Sequence, residues 1–468
     1  MATAAVRLPR RPTIVQALAT ALVAAVGLAA WAFAWAMEHA TYDTVAGVYV
    51  GIVLGIASVV CGRALARRET DRVVAALLVI APLAKLVTAI ARFGVTFVLY
   101  DGSADAGIYH HHGIRLAQLY EQGIFNADLE QPFVGSGAIR ALAGLLYTVT
   151  GPTLLGAFFV FSWIGFWGLY LFYRAFVMAV PDGDRRRYAI LVLLLPSLLF
   201  WPSSLGKEAV MTFSLGVVAY GSARLLTHRP RGLLVVVTGL AMMVAVRPHV
   251  GAMAAVALIG AYASRRSPKS ASLTAPLAKL VGLTLLGVAL LVVVTQTRDL
   301  LGIDRFNRDA LEAARSEVVE RTDEAGSAFK PSATDFRPLK FHVAITSVLF
   351  RPFPWESDNA QAAVASLEGV SLMALFVLGW RRLLTAVRTV LRSPYVVMCL
   401  IYTVLFTYGF SSFANFGILT RQRVQVIPFV LVLLALPPYR GRVRDPRALL
   451  GVDAPDEPAP SRFARQVR

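Results

Sequence analysis

Apolar runs recur along the whole of this 468-residue chain, and they are what most restricts its fold. About 17 to 25 apolar residues wound as a helix cover the ~30 Å of hydrocarbon in a bilayer. At that depth each backbone N–H and C=O must be satisfied within the protein, so only helices and closed barrels cross. Strict apolar–polar alternation, the mark of a barrel strand, is absent. Spans are predicted at about 14–37, 45–62, 73–98, 153–175, 188–203, 208–226, 232–247, 250–264, 275–296, 364–380, 395–413 and 423–437. The expected fold class is all-α, a polytopic transmembrane helix bundle of about twelve spans. Composition agrees: 57% of residues are hydrophobic and 16% charged, whereas soluble domains sit near half and a quarter.

The formal charge of +18 invites a nucleic-acid reading. In a membrane protein it reads instead as a basic cytoplasmic face, and no nucleic-acid partner is expected. Arg63/Arg67/Arg68/Arg72, Arg185/Arg186/Arg187, Arg224/Arg229/Arg231, Arg265/Arg266/Lys269 and Arg381/Arg382/Arg388/Arg392 fall on alternate connections. Both termini then lie on the cytoplasmic side of the cell (plasma) membrane. Arg7, Arg10 and Arg11 precede the apolar stretch Ile14–Met37, which is too long for a signal peptide and lacks a good cleavage site. It is read as a retained first span. Residues 1–440 form the transmembrane domain, and 441–468 read as a disordered basic tail. Cys61 and Cys399 give neither a disulfide framework nor metal-ligand spacing.

Two long loops are expected on the extracytoplasmic side, at about 100–140 and 298–363. Residues 137–150 suggest an interfacial helix. Residues 305–324 form an amphipathic, doubly charged pattern, and 339–350 are apolar enough to lie on the membrane. No internal repeat is visible, which argues against the repeated halves of many transporters.

Residues with chemistry gather in these external regions. The first loop opens with Asp101 and Asp105, then Tyr109, His110, His111 and His112. An Asp at a membrane interface, partly shielded from water, can take the proton of a sugar hydroxyl. The histidines leave a divalent cation open, although three adjacent His cannot all face one ion from a regular helix or strand. The segment Leu195–Ala209 joins two apolar runs through Pro, Ser and Gly and carries Lys207 and Glu208. Ionisable groups at such breaks are costly and usually functional. Arg247-Pro248-His249, Arg351-Pro352 and Arg421-Gln422-Arg423 fall near helix ends on the same side, against the positive-inside pattern. Guanidinium groups match phosphate bidentately. Lys85 and Arg92, seven residues apart in one predicted span, share a helical face that points into the bundle.

The Asp-x₃-Tyr pattern at Asp105 and Tyr109 is one of three matching features. The others are Pro196-Ser197…Phe200-Trp201-Pro202-Ser203-Ser204…Lys207-Glu208-Ala209, and Asn415-Phe416-Gly417…Arg421-Gln422-Arg423…Pro428. Together they resemble bacterial GT-C-type membrane glycosyltransferases and the related O-antigen-polymerase-like polysaccharide assembly proteins. The resemblance touches the chain from about Asp101 to Pro428. It implies a GT-C-like bundle using a polyprenyl-phosphate or -pyrophosphate sugar donor and a glycan or lipid acceptor at the outer face. It implies Asp105 as catalytic base, with Asp101 as the alternate. Tyr109, His112, Lys207, Glu208, Arg247, Arg351, Arg421 and Arg423 would bind substrate, with Lys207 and the four arginines at the donor phosphate and Glu208 orienting Lys207. One departure stands: the acidic loop follows the third predicted span, where the family usually has it after the first. A single-sugar transferase, a polymerase of lipid-linked repeat units and a flippase for a lipid-linked glycan remain open alternatives, and no cofactor beyond that cation is expected.

Overall fold

The computed structural model describes residues 41–99, 105–125, 132–265, 274–301, 340–357, 360–411 and 415–439, with Gly27 and Phe413. All regular structure among the described residues is helical. In chain order the α-helices are α1 (Tyr42–Ala66), α2 (Arg72–Gly94), α3 (Asp105–Glu121), α4 (Ala138–Thr150), α5 (Leu154–Ala179) and α6 (Arg185–Leu194). There follow α7 (Pro196–Phe200), α8 (Lys207–Leu226), α9 (Gly232–Val246), α10 (Pro248–Ser264), α11 (Thr274–Leu301) and α12 (Phe341–Phe350). The last are α13 (Ala360–Leu378), α14 (Trp380–Thr389), α15 (Pro394–Phe410), α16 (Phe416–Gln422) and α17 (Ile427–Leu434).

Five described helices are long and apolar enough to cross a membrane: Tyr42–Ala66, Arg72–Phe97, Phe133–Thr150, Leu154–Ala179 and Lys207–Leu226. The number is seven if two bent pairs each make one span, Ala362–Leu378 with Trp380–Arg388 at 64° and Phe416–Gln425 with Ile427–Leu434 at 60°. Segments Gly232–Val246, Pro248–Ser264, Leu280–Val292, Phe341–Phe350 and Pro394–Phe410 are apolar but shorter. The expected first span, apart from Gly27, lies outside the described residues, as do the amphipathic stretch 305–324 and the tail. Phe133–Thr150 meets the span criterion, although the sequence pattern suggests an interfacial helix at 137–150. It pairs with α3, which carries Asp105, three histidines and Arg115.

Without a hydrophobic drive between helices in lipid, close packing at small residues holds such bundles together. The crossing of α5 and α8 is built on glycine: a Cβ on Gly168 would stand 2.4 Å from the Thr212 carbonyl oxygen, and one on Gly216 equally close to that of Gly168. The α3–α4 hairpin closes in the same way, with Gly113 against Ala143 and Tyr147 and Gly144 against Leu116 and Tyr120. The hairpin joins the bundle through α1. Asp43 accepts the Leu154 amide at the start of α5, and Tyr42 Oη donates to the Thr150 carbonyl at 3.5 Å.

The predicted span at 188–203 is broken. Pro196 has no N–H and disfavours the helical region for its predecessor, and Leu195 is extended (φ −60°, ψ 128°) between α6 and α7. The elbow after α7 is held from α2. Lys85, fully buried, donates from Nζ to the carbonyls of Leu199 (3.0 Å) and Pro202 (3.0 Å) and to Ser203 Oγ (2.7 Å). Two turns on, the Arg92 guanidinium lies 4.9 Å from the Phe200 ring centre and 4.7 Å from that of Trp201. Both cations point inward, as their spacing suggests. Glu368 fixes the other end of α7 by accepting the Ser197 amide at 2.7 Å.

Candidate functional site

The held elbow delivers the chain to Gly206 and the first turn of α8, where Lys207 and Glu208 stand. Three other helix ends meet them there: the start of α3 with Asp105, the α9–α10 break with Arg247, and the last turn of α16 with Arg421. Asn415 starts α16 by accepting the Ile418 amide at 3.1 Å, which sets the register that brings Arg421 inward. Glu208 and Asp105 sit in first turns and Arg421 in a last turn, each where the helix dipole favours its sign.

Glu208 is the hub. Its Oε1 accepts from Arg247 Nη2 at 2.8 Å and from Arg421 Nε at 2.7 Å, and the residue is 3% exposed. Arg421 Nη2 reaches on to Asp105 Oδ2 at 2.8 Å, and that aspartate side chain is half exposed. One guanidinium thus bridges a buried carboxylate and an accessible one, a fork that an ammonium cannot reproduce. The second carboxylate oxygen of Glu208 lies along Gly206, where a Cβ would approach it to 3.3 Å.

Tyr109, one turn after Asp105, is buried and bonds to Ser136. Burial and then the Asp105 charge push its phenol above the ordinary value, so it stays a proton donor at neutral pH. His110 Nδ1 lies 2.8 Å from Tyr147 Oη, tying α3 to α4. Burial pulls its imidazole below the ordinary value, partly offset by Asp43. His112 is half-buried on α3, and Asp101 lies outside the described residues. Among the described residues no group of three or more His, Cys, Asp and Glu is arranged to hold a metal ion.

Lys207, Glu208, Arg247, Arg421, Asp105 and Tyr109 therefore come together, although the sequence separates them by as much as 316 positions. Arg351 and Arg423 are committed elsewhere. Arg351 grips Glu356 through Nε (3.0 Å) and Nη2 (2.5 Å) and lies over the Phe416 ring. Arg423 is 1% exposed and donates from Nη1 to the Arg351 carbonyl at 3.1 Å, with Glu368 at 3.6 Å. Two residues along a helix face different ways, so Arg421 and Arg423 serve different groups.

Two contributors were not selected from the sequence. His249 follows Pro248 in the first turn of α10 and lies within electrostatic reach of Arg247 and Lys207. Its signal was position, a histidine beside an arginine at a proline-started helix. Glu368 is the sole ionisable residue of α13, and a lone acid in an apolar helix marks a role by itself.

No family model, curated protein or solved structure matches the chain.

Proposed function

We propose that this chain is a membrane glycosyltransferase that moves a sugar from a polyprenyl-phosphate- or -pyrophosphate-linked donor to a glycan or lipid acceptor at the extracytoplasmic face. The observation that carries this reading is the Asp105–Arg421–Glu208 chain. It holds an accessible carboxylate in a fixed direction on a buried ionic hub at the end of a membrane bundle. Asp105 takes the proton of the acceptor hydroxyl as its oxygen attacks the anomeric carbon, and the bond from that carbon to the lipid phosphate breaks with its electrons leaving on the phosphate. Basic groups already in place stabilise that departing charge, which is electrostatic preorganisation. Tyr109, buried one turn after Asp105 and bonded to Ser136, braces the start of α3 that presents this carboxylate. The twelve-span topology with cytoplasmic termini belongs to the same proposal, with the shorter apolar helices completing the crossings and the α3–α4 hairpin at the outer interface. Transport gains no support from Lys85, because that intramembrane cation is saturated by carbonyls and a hydroxyl.

The test is a transfer assay on the purified chain in vesicles of defined orientation, with polyprenyl-linked sugars and a panel of acceptors. The native chain is expected to form product only when donor and acceptor are offered at the extracytoplasmic face. Asp105→Asn should lower turnover about 10²- to 10⁴-fold, the usual worth of a general base, with membrane abundance unchanged. Full turnover by the variant removes the proposed base. No product from the native chain, together with movement of a lipid-linked glycan across the vesicle, replaces the enzyme reading with transport.

A further inference from the structure

The charges that Glu208 organises do not use up the donors around it. Arg247 has a side chain 9% exposed, and only Nη2 is engaged, on Glu208. Its Nη1 is buried and has no hydrogen-bond partner among the described residues. His249 Nδ1, two residues on, is likewise buried and unbonded among them. Lys207 is half-buried, within electrostatic reach of both, and makes no ion pair or hydrogen bond among the described residues. A buried donor left empty is destabilising, so each one calls for a partner, whether ligand, ion or water. Two such atoms, with the half-buried Lys207 ammonium within electrostatic reach of both, are a stronger statement than either alone.

The charge balance has the same sign. Lys207, Arg247 and Arg421 face two carboxylates, Glu208 and Asp105, and both are already bonded to arginine. α8 and α10 both begin here, and each adds the positive end of its dipole and first-turn amides, the usual setting for an oxyanion. Arg421, by contrast, spends Nε on Glu208 and Nη2 on Asp105. The cluster thus has an acidic side at Asp105 and a donor-rich side at His249, with Glu208 between them.

We propose that Lys207, Arg247 Nη1 and His249 Nδ1 form a seat for one phosphoryl group, separate from the Arg421–Asp105 pair and without Arg351 or Arg423. The proposal rests on the glycosyl-transfer reading for its setting, since the seat is where that reaction's leaving phosphate would lie. It names a phosphate monoester or diester as the ligand chemistry. The source is either a polyprenyl lipid or a soluble phosphate.

The experiment measures binding rather than turnover. The full chain in nanodiscs is titrated with polyprenyl monophosphate incorporated in the disc and, separately, with inorganic phosphate and pyrophosphate in solution. Lys207→Met and His249→Phe are compared with the native chain, because neither residue supports Glu208, whereas an Arg247 variant would also unseat the hub. Each is expected to weaken phosphate binding about tenfold or more, the usual worth of a charge-assisted hydrogen bond, with an unchanged melting temperature. Binding of the lipid alone makes the ligand a lipid phosphate; equal binding of inorganic phosphate makes it a soluble one, and the seat stands in both cases. Native binding that neither variant weakens overturns the seat, as does an absence of phosphate binding. Sugar transfer that proceeds while binding ignores both substitutions sinks the seat alone. Residue-dependent binding without any transfer sinks the glycosyltransferase reading alone.

Discussion

Lys85 and Arg247 are both buried cations in an apolar bundle, and they are treated in opposite ways. Lys85 spends its ammonium on two carbonyls and a hydroxyl, and it shares Ser203 with Ser162 at 2.9 Å. Arg247 spends one nitrogen on Glu208 and leaves another empty among the described residues. Arg423 falls between them, taking up carbonyls of the α12 and α13 region and lying 3.6 Å from Glu368 with its Nε unbonded among the described residues, while Arg421 holds carboxylates. A cation saturated by backbone oxygens replaces hydrogen bonds that a broken helix cannot make. A cation gripping a carboxylate with donors to spare keeps a charge ready for something else. Burial alone does not separate the two kinds; the accounting of donors does.

The comparison breaks first at Glu208. Glu208→Ala leaves Arg247 and Arg421 facing each other without their shared carboxylate. Removing one partner of a buried ionic group costs about 3–5 kcal/mol. The expected result is a large drop in melting temperature and folded yield together with loss of transfer. A stable, correctly folded Glu208→Ala protein would show that the arginines find other partners and that Glu208 is no hub.

Lys85→Met is the matching test on the saturated side. It strands the Pro202 carbonyl, while Leu199 retains the Ser203 hydroxyl as a donor. A buried unsatisfied group costs about 1–3 kcal/mol. Stability should fall by that amount, measured by denaturant or thermal unfolding in detergent. Phosphate affinity per folded molecule should stay near native, because Lys85 holds the elbow and not the ligand. A Lys85→Met protein that is stable yet fails to bind phosphate would place Lys85 in the seat and erase the distinction between saturated and unsaturated cations.

Part of this contrast is legible in the sequence. Spacing gives Lys85 and Arg92 a common inward face, and both clamp the elbow from α2. The association of Lys207 and Glu208 with a break between apolar runs is visible from the Pro, Ser and Gly around them. What sequence cannot supply is partnership across the fold: Asp105 meets Arg421 over 316 positions, and no local rule pairs them. Nor can it separate Arg421 from Arg423, because a two-residue offset reverses which side of the chain each serves, and only the neighbours reveal what each side holds. The described helices depart from the predicted span bounds for a physical reason. Hydropathy measures how apolar a run is and ignores where the backbone bends. Pro196 splits one predicted span, and the pairs at 362–388 and 416–434 are bent by 64° and 60° within apolar sequence.

The smallest expected effect lies on the hairpin that presents Asp105, where His110 meets Tyr147. Burial, the main cause, lowers the His110 pKa below the ordinary value of about 6.5; the Asp43 charge opposes this and His111 adds to it. Just below that pH the unfolded chain therefore binds a proton that the native hairpin resists. Stability must then rise with pH through the window beneath about 6.5 and be flat in this group's contribution above it. Lowering the pH should loosen the α3–α4 pairing by a fraction of a kcal/mol, or at most about 1 kcal/mol for a group only partly buried. The measurement is the melting temperature of the native chain and of His110→Gln between about pH 5 and pH 8, the range in which an imidazole titrates. The difference between the two curves isolates this histidine from the others. The native chain should lose more stability on acidification than the variant. Parallel curves would mean that the hairpin accommodates an imidazolium. Asp105 would then be presented to the site by the glycine contacts at Gly113 and Gly144, with no contribution from the His110–Tyr147 bond.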